Sequence, residues 1–417
     1  MQEIREKTYK LLRWSEKYFK TDMVYLAKGG FWLTFGQIVS SVSSFLLAIA
    51  FANLLTQQTF GTYKYLLSTY GLISLLLLPG LATSITHSIS RGFEGSLEFG
   101  FRKKLSWSLL GSLASFVVSG YYLVNHNLTL AVSFFILGSA LPLMETFGLY
   151  PNFLEGKKIF KERVVYEIII NLFSAVFIVL TLFLTKNLFI LLIVYFASNG
   201  LGRLFFYLLT LKKFKENDQL DEKMISYAKS LSALQIVSNA AQYLDKIMLF
   251  TILGAPQVAI FTFANAIPER IKCFFRFTGT ISFPKFTTRP IDEIKKTLLK
   301  KLILLGIIIF LGIIAYILAA PYIFKYLFPK YISAVYFSQV IALTTIYAIT
   351  YPISSYLTAH KKVKELFIIS GSSFLLGLIC LLAFIPLYGI WGAVIGLIAN
   401  RITIMATSFY FLKRIRD

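Results

Sequence analysis

The residues most able to do chemistry lie together in one apolar stretch. The segment FANAIPERIKCFFRFTGTISF, residues 263–283, carries four charged side chains: Glu269, Arg270, Lys272 and Arg276. At about 100° per residue, three of the four share a helical stripe with Asn265, and Arg270 lies on its flank. A basic side chain at the centre of a bilayer costs about 2.5–3.5 kcal/mol. The spacing therefore predicts a helix whose polar face is turned towards protein or water.

The preceding helix repeats this pattern. The segment LQIVSNAAQYLDKIMLF places a second polar stripe on one face, with Ser238 and Asp245 beside it: Gln235, Asn239, Gln242 and Lys246. A milder stripe near the N-terminus consists of Gln37, Ser41 and Ser44. Two neighbouring helices thus present polar faces, which predicts a shared polar site.

Other charged residues inside apolar runs are isolated: Lys64, Glu145, Arg203 and Arg401. Basic residues outnumber acidic ones within the predicted spans, and two explanations remain open. In the first, acids pair with bases between helices and residues near helix ends extend to the interface. In the second, the bases line a water-filled cationic cavity, which selects an anion because Arg and Lys bind phosphate strongly at low dielectric.

The elements that carry these residues are membrane-spanning helices. The chain of 417 residues is 57% hydrophobic and only 15% charged, with a mean hydropathy of +0.70. Apolar runs of about 20 residues, each long enough to cross a bilayer, recur along the chain. The sequence predicts an all-α, polytopic membrane protein of about twelve helices: 29–53, 60–87, 105–124, 128–152, 164–185, 188–211, 226–253, 257–286, 298–320, 331–358, 365–385 and 388–412.

The connections between these helices alternate in charge. One set, with FRKK, EGKKIFKER and KKFKENDQLDEK among its loops, holds most of the 42 basic residues together with both termini. The other set, with TQQT, NHN and TKN, is nearly free of them. Basic loops stay on the cytoplasmic side, so both termini are predicted to be cytoplasmic. The net charge of +22 then reflects contact with an anionic leaflet rather than nucleic acid.

The chain divides into two similar halves. LEGKKIFKE, residues 154–162, and LTAHKKVKE, residues 357–365, align without gaps after the fourth and tenth helices. Two six-helix lobes around a central cavity are the predicted architecture. Four prolines are predicted to interrupt helices two, four, eight and ten: Pro79, Pro142, Pro268 and Pro352. The predicted divisions are a cytoplasmic amphipathic lead-in over 1–28, an N-lobe over 29–211, a cytoplasmic linker over 212–224, a C-lobe over 225–412 and a tail over 413–417.

Several function classes are disfavoured. No G-x-x-x-x-G-K-[ST] loop is present, which argues against an ATP-driven pump. None of the three histidines falls at membrane depth, so a histidine metal site or proton relay is not expected. The outer loops are too short for an extracellular polymerase or ligase domain, and no D-x-D pair marks a sugar-nucleotide site. Cys273 and Cys380 lie in apolar runs and predict no disulfide framework.

Four segments, taken in order, resemble the polysaccharide-transporter branch of the MOP superfamily, which includes the Wzx-type O-antigen flippases. LLTQQTFGTYKYLLSTYGLISLLLLPGLATSITHSISRG is similar to the family's helix-two region. YLDKIMLFTILGAPQVAIFTFANAI resembles its helix-seven-to-eight segment, with Asp245, Gly254 and Val258 in place and Phe261 where tyrosine is usual. YLFPKYISAVYFSQVIAL and IPLYGIWGAVIGLIANRI resemble its helix-ten and helix-twelve openings.

The resemblance implies a transporter rather than an enzyme. It would move a polyprenyl-pyrophosphate-linked oligosaccharide to the outer leaflet of the bacterial inner membrane by alternating access, for polysaccharide or lipopolysaccharide biosynthesis. The implied head-group contacts are Arg270, Lys272 and Arg276, with Lys246 and Arg401 next. Gln235, Asn239 and Gln242 would bind sugar hydroxyls. The implied ion-coupling candidates are Asp245, Glu269 and Glu145.

No cofactor is implied, and coupling to a proton or sodium gradient stays open. The implied partners are the lipid-linked oligosaccharide, membrane lipids and polysaccharide polymerase machinery. The main alternative is a cation-coupled small-molecule exporter similar to the MATE branch, whose commonly cationic substrates would call for an acidic cavity. Another relative, the lipid II flippase, fits less well, because its longer chain has two helices more than the twelve predicted here. A membrane glycosyltransferase and a non-transporting scaffold are disfavoured by the short loops and by the polar stripes, respectively.

Overall fold

The computed structural model describes residues 23–288, 291–360 and 362–414, and no β-strand occurs in them. Sixteen α-helices follow one another in these segments: α1 (Met23–Leu54), α2 (Gln57–Leu76), α3 (Gly80–Ser90), α4 (Ser96–Val124), α5 (Leu128–Phe147), α6 (Tyr150–Gly156), α7 (Phe160–Leu184), α8 (Leu188–Phe214), α9 (Met224–Asn239), α10 (Ala241–Leu253), α11 (Ala255–Thr288), α12 (Ile291–Leu327), α13 (Val335–Thr344), α14 (Tyr351–Ala359), α15 (Val363–Tyr388) and α16 (Ile390–Arg414). Two 3₁₀ segments, Pro329–Ala334 and Thr345–Thr350, flank α13. Most of the predicted lead-in and the end of the tail lie outside the described residues.

The apolar spans agree with a multi-pass membrane protein. Within the described residues, nine helical segments are long and apolar enough to cross a membrane, and α2 with α3 forms a tenth, broken span. The predicted spans that miss this test are the seventh and eighth, which correspond to α9–α10 and α11. Those two carry the polar stripes, so their lower hydropathy has a direct cause.

Breaks in the helices only partly follow the predicted prolines. Pro79 lies at the break between α2 and α3, and Pro352 starts α14 after a 3₁₀ segment. Pro142 and Pro268, by contrast, lie within α5 and α11 without ending them. The fourth predicted span breaks instead after Phe147, and the seventh breaks at Ala240 without a proline. Helix α12 extends to Leu327. Much of the connection predicted between the ninth and tenth spans, in the segment PYIFKYLFPKY, is therefore helical.

Among the described residues, the first of two compact units comprises 23–47, 77–181 and 191–231. Its core is built where α3, α6, α7 and α8 bring aromatic and aliphatic side chains together. Tyr166 and Phe206 stack there with ring centroids 4.2 Å apart. Helices α4 and α5 form a hairpin, in which Ser119 donates to the Ala131 carbonyl at 2.7 Å.

The segment after α8 is fastened to this first unit by charge. Lys157 contacts Glu94 at 2.8 Å and Glu216 at 3.2 Å, and the Glu216 backbone N–H donates to Glu94 Oε2 at 2.6 Å. Asp221 accepts from Arg91 at 3.3 Å. The segment 215–223, most of the predicted linker, therefore packs as a strap on the unit that precedes it.

The second unit comprises residues 48–76 and 182–190 together with the described residues from 232 to 414. Its aromatic core joins α2 to α11, with Phe60 stacked on Phe263 at 4.8 Å, and Phe263 against Tyr331 at 4.1 Å. Helices α15 and α16 form a tight hairpin. Gly389 connects them with φ +61°, a left-handed conformation that glycine adopts without steric cost.

Candidate functional site

Helix α11 carries the predicted polar stripe inside the second unit. Glu269 accepts a short contact from Lys272 of the same helix and a bond of 2.5 Å from the Arg401 guanidinium of α16. Asn265 is buried, and its amide donates to the Phe261 carbonyl at 2.9 Å. Glu269 and Lys272, two members of the predicted stripe, thus form an ion pair, while the partner from α16 became visible only in the fold.

Arg401 is enclosed on several sides. It is 5% exposed, and besides Glu269 it donates to the Thr344 hydroxyl at 2.6 Å. Its guanidinium carbon lies 5.2 Å from the Tyr347 ring centroid, a cation–π distance. These contacts satisfy a buried charge with an anion, a hydroxyl and an aromatic face.

Helix α10 supplies a second ion pair. Lys246 contacts Asp245 Oδ1 at 3.1 Å and donates to the Gln242 carbonyl at 3.2 Å. The Lys246 backbone N–H also donates to Asp245 Oδ1 at 2.6 Å, and the Lys246 ammonium lies 6.0 Å from the Phe261 ring centroid. One of the predicted head-group cations is thus neutralised by a predicted ion-coupling acid beside it.

The polar amides of the seventh predicted span have mixed environments. Asn239, at the end of α9, donates to the Gln235 carbonyl at 2.9 Å. Gln242, in the first turn of α10, is exposed. The break at Ala240 separates them, although Ala240 keeps helical φ and ψ of −62° and −38°. The amides of the predicted stripe therefore lie on two successive helices, α9 and α10.

Lys64 interacts with the basic residues of α10 and α11. Its position in the sequence did not predict this. Helix α2 brings its ammonium within electrostatic range of Lys246 and Arg270. The ammonium lies 5.4 Å from the Phe60 ring centroid and 5.8 Å from that of Tyr63. Lys64, Lys246 and Arg270, from α2, α10 and α11, therefore interact electrostatically within the second unit.

Two glycines on α2 allow this approach. A Cβ at Gly61 would lie 1.8 Å from the Ala255 carbonyl oxygen, and one at Gly71 would lie 2.2 Å from the Tyr243 ring. Gly61, Lys64 and Gly71 fall within one helical face. The glycines on the face of Lys64 were the signal that could have placed it beside α10 and α11.

The basic residues described above on α2, α10, α11 and α16 separate into those that form an ion pair and those that do not. Within the described residues, Lys246 pairs with Asp245, while Lys272 and Arg401 share Glu269. Lys64, Arg270 and Arg276 form no ion pair with a described carboxylate. Neither arginine of α11 has a side-chain hydrogen bond to a described residue; Arg270 is half-buried and Arg276 exposed. We call these basic residues and their two carboxylates the basic cluster. The cluster keeps a net positive charge after every described ion pair is counted.

Glu145 lies in the first unit with a partner that the sequence did not predict. Lys104 contacts Glu145 Oε2 at 2.8 Å and donates to the Leu77 carbonyl at 2.6 Å. Lys104 was predicted to lie in a loop; it lies instead within α4, which begins at Ser96, and its side chain is buried. Arg203 donates to the Met144 carbonyl at 2.8 Å.

No group of three or more His, Cys, Asp or Glu among the described residues could hold a metal ion. Cys273 and Cys380 are free thiols. What the described cluster can do is bind an anion through several cations from different helices. Charge-assisted hydrogen bonds to phosphate are the strongest contacts available to such a group.

Comparisons with known proteins identify the family of the chain. Residues 26–289 match the model of a family described as polysaccharide biosynthesis protein. A comparison with curated proteins finds no match in sequence.

Solved transporters share the fold. A structure titled lipid II flippase MurJ, inward closed conformation, superposes with a TM-score of 0.74 at 13% identity, over 91% of this chain and 87% of that one. An inward-facing multidrug resistance MATE family transporter of the MOP superfamily gives 0.67 at 12% identity, over 91% and 96%. A MOP superfamily transporter from Pyrococcus furiosus, titled as having a binding pocket of reverse polarity, gives 0.60 at 13% identity, over 93% and 94%.

Proposed function

The chain belongs to the family of polysaccharide biosynthesis proteins, and we propose that it is a flippase for a lipid-linked oligosaccharide. It moves a polyprenyl-pyrophosphate-linked repeat unit from the inner to the outer leaflet of the bacterial cytoplasmic membrane by alternating access. The O-antigen subunits of lipopolysaccharide are substrates of this class. The fold shared with transporters of the MOP superfamily supports a transport role.

The observation that carries this proposal is the excess of cations in the second unit. Lys64, Arg270 and Arg276 form no ion pair with a described carboxylate, and Lys64 lies within range of Lys246 and Arg270. Like charges brought together in an apolar protein repel one another unless an anion arrives. A diphosphate head group carries the charge and the acceptor oxygens that would relieve this repulsion.

The other predicted contacts fit parts of the same substrate. Gln242 is exposed and offers an amide to sugar hydroxyls, with Asn239 and Gln235 about one and two turns away. The prenyl chain stays in the lipid. Arg401, which is buried against Thr344 and Tyr347, holds Glu269 rather than the substrate.

Energy coupling is assigned to acids that already have partners. Asp245 pairs with Lys246, Glu269 with Lys272 and Arg401, and Glu145 with Lys104. Proton or sodium binding at one of these carboxylates would release its basic partner. Polysaccharide polymerase machinery is the proposed recipient of the flipped lipid.

The test is reconstitution into liposomes with a fluorescent polyprenyl-pyrophosphate oligosaccharide. Protein-dependent exposure of the label to an external quencher is expected, with competition by unlabelled polyprenyl pyrophosphate. The absence of exchange under proton and sodium gradients of either sign would contradict the proposal. A cation-coupled small-molecule exporter would then be the class to test.

A further inference from the structure

Glu269 is held between two cations that differ in their freedom to leave it. Its Oε1 accepts from Arg401 and its Oε2 contacts Lys272. The Arg401 side chain is 6% exposed, whereas those of Lys272 and Glu269 are 22% and 38% exposed. An ion arriving from solvent can therefore reach the lysine and the carboxylate, but not the arginine.

Arg401 is fixed in place by its other contacts. It donates to Thr344 and lies against the Tyr347 ring. Moving it would leave a buried guanidinium without partners, which costs several kcal/mol. Glu269 is thus anchored on one side by a base that has no alternative position.

Lys272 has no comparable anchor. Within the described residues its ammonium contacts Glu269 alone, and it ends a flexible four-carbon chain. The two arginines nearest to it in sequence, Arg270 and Arg276, form no ion pair with a described carboxylate. Arg276 lies four residues and about one helical turn from Lys272, so an anion attracted to Arg276 would arrive beside Lys272, which Glu269 already holds.

The geometry points to Glu269 as a built-in competitor for the substrate anion, with Lys272 as the cation that they exchange. Without ligand, Lys272 rests on Glu269. When a diphosphate binds Arg276, Lys272 turns to it while Glu269 stays with Arg401. The identity of the anion rests on the proposed function; the competition rests on the contacts alone.

This exchange limits affinity and favours release. Each binding event must break one ion pair within the protein, so the site binds its anion less tightly than its number of cations suggests. Each release event is assisted when Glu269 recaptures Lys272. A transporter needs such a balance, because interactions that only tighten binding do not speed turnover.

The test measures binding of inorganic pyrophosphate to the purified full-length protein, which does not depend on flipping. Glu269→Gln should bind pyrophosphate about three- to tenfold more tightly than wild type, since Lys272 is no longer held by a carboxylate. Lys272→Gln should bind more weakly, and adding Glu269→Gln to it should bring little of that gain. Glu155→Gln is the matched control, because Glu155 also pairs with a base and its side chain is also 38% exposed.

The outcomes separate the inference from the proposed function. Unchanged or weaker binding by Glu269→Gln, with wild type binding, would overturn the competition while leaving the flippase intact. Unchanged binding by Lys272→Gln would overturn it as well, which covers the case in which Glu269→Gln does not fold. Tighter binding by Glu269→Gln without lipid exchange in liposomes would support the competition and contradict the proposed substrate. Absence of pyrophosphate binding in every variant would overturn both.

Discussion

The basic residues of the second unit differ in whether the protein already uses their charge. Arg270 and Arg276 form no ion pair or side-chain hydrogen bond with a described residue, whereas Arg401 has partners on three sides. Basic side chains that have no described partner in the protein are the ones available to bind a ligand. Opposite effects on function and on stability follow for the two sets.

Replacing Arg270 or Arg276 with Gln should lower the rate of lipid exchange about tenfold each, since a contact to the diphosphate is lost. The thermal unfolding temperature should stay near that of wild type. Exchange in liposomes and unfolding in detergent measure the two effects. Wild-type exchange in both single variants and in the double variant would contradict the assigned role.

Arg401→Gln should instead destabilise the protein. Arg401 is buried, but Glu269 is 38% exposed and keeps its contact with Lys272, so the loss should be smaller than the loss of about 3–5 kcal/mol measured for a fully buried pair. A marked fall in unfolding temperature is expected, with Arg276→Gln as the control that removes an equal charge from an exposed position. A variant that unfolds like wild type would show that the contact with Lys272 alone is enough to hold Glu269.

Sequence spacing predicted the local part of this site and missed the distant part. Glu269 and Lys272 are about one turn apart on a single helix, and Asp245 and Lys246 are adjacent in the chain, so neither pair depends on how helices pack. Arg401 lies 132 residues from Glu269, and Lys64 comes from α2. Such contacts depend on how helices pack, which periodicity does not specify.

At the scale of elements, close packing of α2 against α10 and α11 positions Lys64. Gly61→Ala would place a methyl group 1.8 Å from the Ala255 carbonyl oxygen, and backbone cannot move away as a side chain can. We expect a loss of about 1–3 kcal/mol in stability and a lower exchange rate, because Lys64 moves with the helix.

Gly120→Ala is the matched control for this prediction. Gly120 also lies within a long helix, α4, but a Cβ there meets no atom within 4 Å. Its unfolding temperature should equal or exceed that of wild type, since alanine favours helix over glycine. Equal effects of the two substitutions would show that the contact at Gly61 carries no energy.

The strap after α8 predicts a dependence on pH. Burial raises the pKa of the Glu94 carboxyl, but hydrogen bonds from Lys157 and from the Glu216 backbone outweigh it and hold the pKa below its ordinary value. The unfolded state then binds the proton more readily. This contribution to stability is complete above about pH 4.5 and is lost as the pH falls through the lowered pKa.

Glu94→Gln should therefore lower the unfolding temperature at neutral pH and reduce its decline in acid. Unfolding measured across the acid range tests both effects. Glu222→Gln is the control, because Glu222 lies exposed in the same strap without an ion pair to a described residue. Parallel acid profiles for wild type and Glu94→Gln would exclude Glu94 as the source.

Periodicity located the spans better than it located their breaks. The twelve predicted spans follow the helical segments of the chain, because runs of about 20 apolar residues are a strong and local signal. No proline or glycine occurs at the break at Ala240. Pro268, by contrast, lies inside α11 without ending it. Neighbouring helices decide whether a freed carbonyl is satisfied, so a proline alone does not fix a break.

For the whole molecule, the distribution of basic residues predicts a single orientation in the membrane. The connection at 125–127 belongs to the nearly uncharged set, and the segment after α8 belongs to the basic set. Basic loops remain on the cytoplasmic side, so Asn125 should face outward and Lys213 inward. Both side chains are exposed and therefore accessible to a reagent on the correct side.

Cysteine labelling tests this orientation in intact cells. With Cys273 and Cys380 replaced by alanine, Asn125→Cys should react with a membrane-impermeant maleimide at once, and Lys213→Cys only after permeabilisation. The reverse pattern would place the basic strap outside. The proposed transport direction would then be wrong for a substrate made in the cytoplasm, since the orientation of the chain decides which leaflet supplies the lipid.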